Sequence, residues 1–527
     1  MNLVQHPGTD RLELSTEVVI VGSGAGGAAI AQILADAGLD VVVLEEGPYI
    51  PQTEYGRFRP TETLRKMGRE AGTTPVFSLG DTPVMSVMAG RAVGGSSILT
   101  GGVCFRIPGM IHKKWVEERN LPMLSEAALA PAFDSVERIS HVEEVPASMR
   151  SRSTVKFVDG ATRLGIPMKP MRRNTKGCNG CGRCNFGCPH GAKLSVDLTY
   201  LPMAHRAGAQ IYAQCLVERI TTAGGRATGV VGRILGDRDE LGRQQPVGTF
   251  WIKAQTVIVA AGSLHSPQLL LRSGFRNRAI GRHLTLHPGI RTVALFDERI
   301  EGWRGALQSV YSDHFEADGI TLTGLFVPPN VLAATLPGVG RAFAQRVSTM
   351  GNVAVFGGLV HDDAGGRVHA GFGREPLLTY RMSRENKAST LKCIRILGES
   401  FLAAGAKEVY LPIFGAPPVR THADLDQILS SGLSAKKIEC ITFHPLGSCR
   451  IAADPKDGAA DPEGRSWELP NVYLADGSVV PSSIGVNSQL TVMAMATRIG
   501  WRLREHLRDR PVGPTALRTS NAEARGT

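Results

Sequence analysis

The pattern of apolar positions predicts a strand, a helix and a second strand over residues 17–44. The segment TEVVIVGSG is an apolar, β-branched run that ends in glycine, and GGAAIAQILADAG carries alanine and leucine at helical spacing up to Gly38. LDVVVLEEG is a second apolar run, closed by Gly47. A strand–helix–strand unit of about 30 residues implies two parallel strands joined by a right-handed crossover.

Two later apolar runs have the same character as these first strands. TFWIKAQTVIVAAGS ends near Gly262, and NVYLADGS runs from Asn471 to Ser478. Parallel-type strands in three distant places predict one sheet assembled from separated stretches of chain. The intervening material, around residues 110–200 and 290–440, is then expected to form an inserted second domain.

Composition narrows the class of partner and compartment. The net charge is +11, but lysine and arginine are scattered and no run of five basic residues occurs, so we expect a solvated basic surface and no nucleic-acid partner. No apolar run reaches eighteen residues, and the first residues carry Asp10 and Glu13, so we expect neither a transmembrane segment nor a signal peptide. Nine cysteines, four of them clustered, favour a reducing, cytoplasmic location.

The glycine-rich turn after the first strand has the form GxGxxG, with Gly22, Gly24 and Gly27 at the three positions. Gly22 allows the tight turn, Gly24 lets the backbone approach a pyrophosphate, and Gly27 permits close helix–strand packing. Glu45 ends the second strand, where an acid bonds the adenosine ribose hydroxyls. These features predict dinucleotide binding, but they do not choose between FAD and NAD.

A second glycine loop, GRAVGGSS at residues 90–97, distinguishes the cofactor. Here the chain resembles the glucose–methanol–choline (GMC) oxidoreductases, whose second signature is a GR-x-x-GGSS loop against a flavin. Further matches follow in the family's order: GSLHSP at 262–267 with SG at 273–274, GRHLTLHP at 281–288, DGS at 476–478 and GVN at 485–487.

The resemblance implies an FAD cofactor and a two-part α/β fold. The fold would combine an FAD-binding, Rossmann-like, doubly wound sheet with an inserted α+β substrate domain built on an antiparallel sheet. The expected cofactor-binding residues are Gly22, Gly24, Gly27, Glu45, Gly94, Gly95, Ser96, Ser97, Asp476 and Gly477. The expected divisions are an FAD-binding domain at 1–110, 205–290 and 439–510, a cap region at 111–204, a substrate-binding domain at 291–438, and a disordered tail at 511–527.

The resemblance also implies the reaction, hydride transfer from an alcohol to flavin N5. His444, in FHPLGS, lies where the family carries its reacting histidine, and Asn487 lies where the family carries a second His or Asn. A neutral imidazole suits removal of the hydroxyl proton near pH 7, and an amide beside it can orient the hydroxyl. Within the family, HPLG…DGS…GVN and GAKLS at 191–195 are closer to the cholesterol-oxidase and long-chain-alcohol-oxidase branch, which suggests a bulky, apolar alcohol. Thr100 and Arg276 depart from the family pattern near the flavin.

Four cysteines form a ferredoxin-like loop, Cys178-x2-Cys181-x2-Cys184-x3-Cys188-Pro. Three interpretations remain open: an iron–sulfur cluster that relays electrons from the flavin, a structural site holding zinc or simply packed thiols, and disulfides. The sequence predicts an alcohol dehydrogenase that passes electrons to an external carrier such as a quinone or cytochrome. An oxidase that produces peroxide, a non-redox flavin lyase or decarboxylase, and a non-catalytic FAD-binding protein are the alternatives.

Overall fold

The computed structural model describes residues 3–7, 10–239, 243–325, 328–333, 336–371, 373–430 and 432–508. The tail at 511–527, predicted to be disordered, lies outside the described residues. Two large sheets with their surrounding helices make up most of the described chain. In those ranges no helix combines the length and the apolar character needed to cross a bilayer.

The strands and helices are numbered in chain order. The strands are β1 Arg11–Val21, β2 Val41–Leu44, β3 Thr74–Ser78, β4 Val84–Val87, β5 Val142–Glu144, β6 Lys169–Pro170, β7 Arg172–Asn174, β8 Gln210–Tyr212, β9 Cys215–Ala223, β10 Arg226–Leu235, β11 Pro246–Val259, β12 Gly289–Leu295, β13 Val310–Ser312, β14 Ile320–Gly324, β15 Val353–Val360, β16 Gly366–His369, β17 Leu377–Tyr380, β18 Glu408–Tyr410, β19 Glu439–Thr442 and β20 Val472–Leu474. The helices are α1 Ala25–Asp36, α2 Pro60–Met67, α3 Gly109–Glu117, α4 Glu126–Ile139, α5 Arg152–Arg163, α6 Tyr200–Arg206, α7 Gly262–Arg272, α8 Pro329–Ala333, α9 Gly340–Ser348, α10 Arg384–Ala403, α11 His422–Ser430 and α12 Gln489–Arg508.

The first sheet is assembled from distant parts of the chain, as the apolar runs predict. Its strands are ordered β8–β2–β1–β11–β10–β9, and β20 pairs with the carboxyl-terminal part of β11. The pairs β8–β2, β2–β1, β1–β11 and β11–β20 are parallel, whereas β10 pairs antiparallel with both β11 and β9. Residues 18–21, 41–44 and 257–259 are buried without interruption, which is the pattern of parallel strands covered on both faces.

The second sheet is mostly antiparallel. Its strands are ordered β16–β17–β3–β4–β19–β12–β15–β14–β13–β6, and β18 adds to β12. Helices α5 and α10 cover one face, where the ring of Phe157 stacks on Phe356 and meets the edge of Phe401. The predicted fold class, a doubly wound sheet with an α+β substrate part, is therefore confirmed.

The second sheet includes strands from chain ranges that were predicted to belong to the FAD-binding domain. Strands β3 and β4 fall within 1–110 and β19 falls within 439–510, and all three belong to the second sheet. The antiparallel sheet thus draws strands from ranges that the sequence assigned to the FAD-binding part. The exact limits stay a prediction.

Helix α1 packs so closely on the first sheet that three glycines around its start leave no room for a side chain. Gly22 has a φ of +103°, and a Cβ there would lie 2.3 Å from the carbonyl oxygen of Ala260. A Cβ at Gly26 would lie 1.8 Å from the carbonyl oxygen of Ala475, and one at Gly27 would lie 2.0 Å from that of Gly22. The start of α1 therefore touches the carboxyl ends of β1, β11 and β20.

We expect Gly26→Ala to destabilise the protein by about 1–3 kcal/mol, because α1 must move away from the Ala475 carbonyl to admit the methyl group. The melting temperature, followed by circular dichroism, measures this effect. Gly109→Ala is the matched control, since nothing lies within 4 Å of its added Cβ. If Gly26→Ala has the same melting temperature as the control, the close contact between α1 and the Ala475 carbonyl is contradicted.

Candidate active site

A cavity of about 1170 Å³ lies between the carboxyl ends of the first sheet and one face of the second sheet. Ligands of open α/β sheets bind at this edge. Most of the predicted site residues line it: Gly22, Gly24, Glu45, Gly95, Ser96, Ser97, His444, Asp476, Gly477 and Asn487. Gly27 and Gly94 are not part of the wall; Gly27 packs on Gly22, and a Cβ at Gly94 would meet Ile98 and Asp197.

The start of α1 presents bare backbone to the cavity. Gly24 is the residue before the helix, and no side chain caps it. A Cβ added to Gly24 would meet only the Cα of Gly95, at 4.0 Å, so the space beside this backbone is open. Because a helix N-terminus offers free N–H groups and a positive dipole end, the position suits a phosphate group.

Glu45 and Ser23 connect the two glycine loops. The Glu45 carboxylate accepts hydrogen bonds from the Ser23 amide at 3.0 Å, the Ser23 hydroxyl at 2.7 Å and the Gly47 amide at 2.9 Å. Burial raises the pKa of Glu45, and these hydrogen bonds oppose the shift. The Ser23 hydroxyl also accepts from the Gly94 amide at 3.0 Å. We call residues 90–101 the GGSS loop.

Asp476 ties the end of β20 to the start of α7. Its carboxylate accepts from the amides of Gly262 at 2.8 Å and Ser478 at 2.7 Å, and from the hydroxyl of Ser266. Burial raises the pKa of Asp476, while its hydrogen bonds oppose the shift. The contacts hold a carboxylate and the neighbouring Gly477 backbone at the cavity wall.

His444 and Asn487 meet across 43 residues of sequence. Asn487 Nδ2 lies 3.2 Å from His444 Nε2. His444 Nδ1 and Asn487 Oδ1 are buried and have no hydrogen-bond partner among the residues that the structure describes. Burial lowers the pKa of His444 to about 4, so the imidazole is neutral near pH 7. Both residues line the cavity, so a ligand in it can contact these two side chains.

His287 lies behind His444, a placement that the sequence analysis missed. The two ring centroids are 5.6 Å apart, and His287 Nε2 accepts from the Ile484 amide at 3.1 Å. Burial lowers the pKa of His287 well below 6.5, with His444 adding to the effect. The motif GRHLTLHP identified this histidine as part of a family segment, but no local signal placed it beside His444.

The part of the cavity beyond His444 is mainly apolar. Its apolar lining comprises Ile290, Leu325, Val331, Leu359, Ile441 and Phe443. On the same wall, Arg291 Nη2 donates to both carboxylate oxygens of Glu439, at 2.9 and 3.0 Å. Thr100, which departs from the family pattern, also lines the cavity and donates to Gln489 Oε1 at 2.8 Å. This region can accept a bulky hydrocarbon.

A buried ion cluster around Glu46 lines the other end of the cavity, and the sequence analysis missed it. Glu46 pairs with Arg69 at 2.6 Å, with Arg91 at 3.1 Å and with Arg374. Arg69 also pairs with Glu375 at 2.8 Å. Burial alone would raise the pKa of Glu46, but the arginines outweigh burial and hold that pKa well below its usual value. The partners lie up to 328 residues apart, so no local pattern reveals them.

The four cysteines of the ferredoxin-like loop lie around one small cavity. In the described ranges, no group of three or more His, Cys, Asp or Glu side chains is placed to hold a metal ion. Cys178, Cys181, Cys184 and Cys188 are free thiols around a cavity of about 10 Å³, roughly the room of one water molecule. Cys184 Sγ accepts a hydrogen bond from Arg173 at 2.9 Å. The iron–sulfur cluster, one of the three interpretations that the sequence left open, is therefore not supported.

The chain matches two family models described as GMC oxidoreductase, one over residues 16–289 and one over residues 377–496. An uncharacterized GMC-type oxidoreductase of Mycobacterium tuberculosis is 36% identical over 92% of this chain and 75% of its own length. A long-chain-alcohol oxidase of Arabidopsis thaliana is 30% identical over 94% of this chain and 69% of its own length. A cholesterol oxidase of Acinetobacter baumannii is 24% identical over 92% and 93%.

Solved structures share the fold at lower identity. Pyridoxine 4-oxidase from Mesorbium loti superposes with a TM-score of 0.70 at 18% identity, covering 93% of this chain and 99% of that one. An Aspergillus oryzae formate oxidase, studied for modification of its FAD, superposes with a TM-score of 0.69 at 13% identity over 95% and 100%. These likenesses support the two-sheet architecture described above.

We expect Glu46→Gln to destabilise the protein by about 3–5 kcal/mol, because it leaves buried guanidinium groups without their shared carboxylate. Thermal unfolding measures the loss. Glu13→Gln is the control, because Glu13 pairs with Arg11 at the surface, where the two side chains are 51% and 75% exposed. Such an exposed pair should contribute only about 0–1 kcal/mol to the free energy of unfolding. Equal melting temperatures for the two variants would show that the buried cluster does not stabilise the fold.

Proposed function

The chain belongs to the GMC oxidoreductase family, and from that membership we propose that it is an FAD-dependent enzyme that oxidises a bulky, apolar alcohol. The observation that carries the proposal is the His444–Asn487 pair: His444 Nε2 lies 3.2 Å from Asn487 Nδ2, and both residues line the same cavity as the start of α1.

The residues present fit an FAD. The backbone at Gly24 and the N–H groups of α1 would bind the pyrophosphate, and Glu45 would bind the adenosine ribose hydroxyls. The cavity, about 1170 Å³, is as large as the biggest ordinary ligand pockets, which reach about 1,000 Å³. The bound flavin supplies the hydride acceptor. All other steps belong to side chains of this chain.

His444 and Asn487 divide the work on the alcohol hydroxyl. A substrate hydroxyl that replaces the direct contact between the two side chains would donate its proton to His444 Nε2 and accept a hydrogen bond from Asn487 Nδ2, which prepares the carbon to lose a hydride. The neutral His287 ring behind His444 adds no competing positive charge. The Asn487 amide and the imidazole therefore act as orienting group and base.

The apolar lining supports a hydrocarbon-bearing substrate over a sugar, which would need many hydrogen-bonding side chains. Names of relatives agree with this choice, since the similar proteins include a long-chain-alcohol oxidase and a cholesterol oxidase. Both names also favour oxygen as electron acceptor over the external carrier that the sequence suggested. A non-redox reaction of the flavin is the remaining alternative.

We expect fatty alcohols or sterols to bleach the flavin absorbance under anaerobic conditions, whereas sugars leave it unchanged. Admission of air should restore the absorbance with one peroxide per alcohol if oxygen is the acceptor. His444→Ala should lower the rate of bleaching by about 10²–10⁴-fold, because the hydroxyl proton loses its base. A stopped-flow spectrophotometer measures both effects.

His506→Ala is the matched control, since this histidine lies near the end of α12 and outside the cavity wall. It should bleach at the wild-type rate. Bleaching by His444→Ala at the wild-type rate would remove this histidine as the base. No bleaching of the wild type by any alcohol would favour the non-redox alternative.

We expect the rate constant for alcohol-dependent bleaching at low substrate to stay level as the pH falls from 8 to 5. A base must be unprotonated, and burial lowers the pKa of His444 to about 4, so protonation removes activity only as the pH approaches 4. The pH profile of kcat/KM checks this. An acid limb centred between pH 6 and 7 would contradict the buried, neutral imidazole.

A further inference from the structure

Two fully buried cations, Lys193 and Arg173, lie behind the cavity wall and take no part in the proposed reaction. Each side chain is 1% exposed. Lys193 belongs to the GAKLS segment and Arg173 to β7, and both lie between the cysteine loop and the GGSS loop. A fully buried charge is costly unless the fold compensates for it, so these positions call for a physical reason.

Lys193 binds the end of the GGSS loop through carbonyl oxygens. Its Nζ donates to the carbonyls of Ser97 at 3.0 Å, Ile98 at 2.5 Å and Thr100 at 2.9 Å. The carbonyl oxygen of Cys184 lies at 3.0 Å, so the three N–H groups of the ammonium are shared among four oxygens. Burial lowers the pKa of Lys193 to about 8, so the amine still holds its proton at neutral pH.

Arg173 binds the next residue of the GGSS loop, Gly101. Its Nε donates to the carbonyl of Gly101 at 2.8 Å, and its Nη2 donates to Cys184 Sγ at 2.9 Å. In the part of the chain that the structure describes, no carboxylate forms an ion pair with Arg173 or Lys193 within 4.0 Å. The two positive charges are thus compensated by carbonyl dipoles and a thiol, and Lys193 also interacts at longer range with the buried carboxylate of Asp197.

The bonded carbonyls belong to the cavity wall itself. Ser97, Thr100 and Gly101 line the cavity, as do Asn185 and Phe186, which follow Cys184. The cations therefore lie one residue layer behind the surface that a cofactor would touch. A cofactor whose phosphates occupy the start of α1 reaches this wall, because Gly95 in the same loop packs on Gly24.

We propose that Lys193, supported by Arg173, is a positioning residue for the flavin: it holds the GGSS loop in the conformation that forms the cavity wall and places positive charge behind that wall, which would raise the reduction potential of a bound flavin. The inference rests on the proposed FAD cofactor but not on the proposed alcohol substrate. Reduction adds electrons to the ring, and a nearby positive charge in a medium of low dielectric constant stabilises the reduced form.

The proposal also accounts for the cysteine loop without a metal. The short helical turn Cys184–Phe186 contributes a carbonyl to Lys193, a thiol to Arg173 and two side chains to the cavity wall. The loop is then the scaffold that holds the two cations in place. Its glycines at 180, 182 and 187 have φ of +74°, +69° and +79°, so the chain can turn sharply between these contacts.

The experiment compares Lys193→Met, which keeps an unbranched side chain one atom shorter and removes the charge, with Lys193→Arg, which keeps the charge. Lys176→Met is the matched control, because Lys176 is exposed and lies next to Thr175, which bridges to Lys193. The FAD-loaded proteins are reduced without any alcohol, in the presence of reference dyes, and the midpoint potential is read from the spectra. FAD affinity of each apoprotein is titrated in parallel, and circular dichroism verifies the fold.

Lys193→Met should disfavour two-electron reduction by about tenfold or more, which corresponds to a midpoint potential about 30 mV lower. It should also bind FAD more weakly, while Lys193→Arg and Lys176→Met stay near the wild type. If Lys193→Met folds but holds no FAD and Lys193→Arg holds it, the positioning role stands on affinity alone.

An unchanged potential and affinity in Lys193→Met would overturn the proposal. So would an equal shift in Lys176→Met, which would show a bulk effect of net charge. Equal loss of FAD from Lys193→Met and Lys193→Arg would show that the charge is irrelevant. Failure of every alcohol to reduce the flavin would count against the proposed function only, whereas a wild type that takes up no FAD would overturn both.

Discussion

The close backbone contact at the start of α1 is the constraint on which the rest of the site depends. Gly22, Gly26 and Gly27 bring the first turn of the helix against the carboxyl ends of three strands, where any side chain would collide with a carbonyl. The helix N-terminus thereby reaches the cavity edge, and the GGSS loop can pack on Gly24. Ser23, one residue earlier, then bonds both Glu45 and the backbone of Gly94.

The cavity built on this contact has two ends of different character. Around Glu46, arginines and acids form ion pairs that are largely shielded from solvent. The wall beyond His444 is instead mainly aliphatic and aromatic, apart from the Arg291–Glu439 pair. Burial acts on both ends. It strengthens the ion pairs that hold Glu46 charged, and it keeps His444 neutral. The cavity thus has a polar end, which suits a nucleotide, and an apolar end, which suits a hydrocarbon group.

The two sheets contribute differently to function. The first sheet carries the features shared by the family, which bind the cofactor at the ends of parallel strands. The second sheet lines the far wall with side chains such as Ile290, Leu359 and Ile441, which is where the proposed function places the alcohol. Family membership accordingly establishes the class of reaction more firmly than the identity of the alcohol.

The sequence by itself determined the features that depend on neighbours along the chain. The alternation and runs of apolar residues predicted β1, α1, β2, β11 and β20, and the glycine motifs predicted where a dinucleotide meets the backbone, because turn geometry is encoded within a few residues. The pairing of His444 with Asn487 was implied by the resemblance to the family. The sequence also suggested a metal cluster from the spacing of four cysteines.

Only the tertiary structure decided which distant groups meet. The cluster of Glu46 with Arg374, the place of His287 behind His444, and the hold of Lys193 on the GGSS loop all join residues that are far apart in sequence or lack a local signature. The cysteines show the converse. Their spacing is that of a cluster loop, but the folded chain gives Cys184 a guanidinium partner and leaves room for about one water molecule. The spacing of residues along the sequence indicates which side chains could form a common site, whereas the packing of the folded chain determines which of them do.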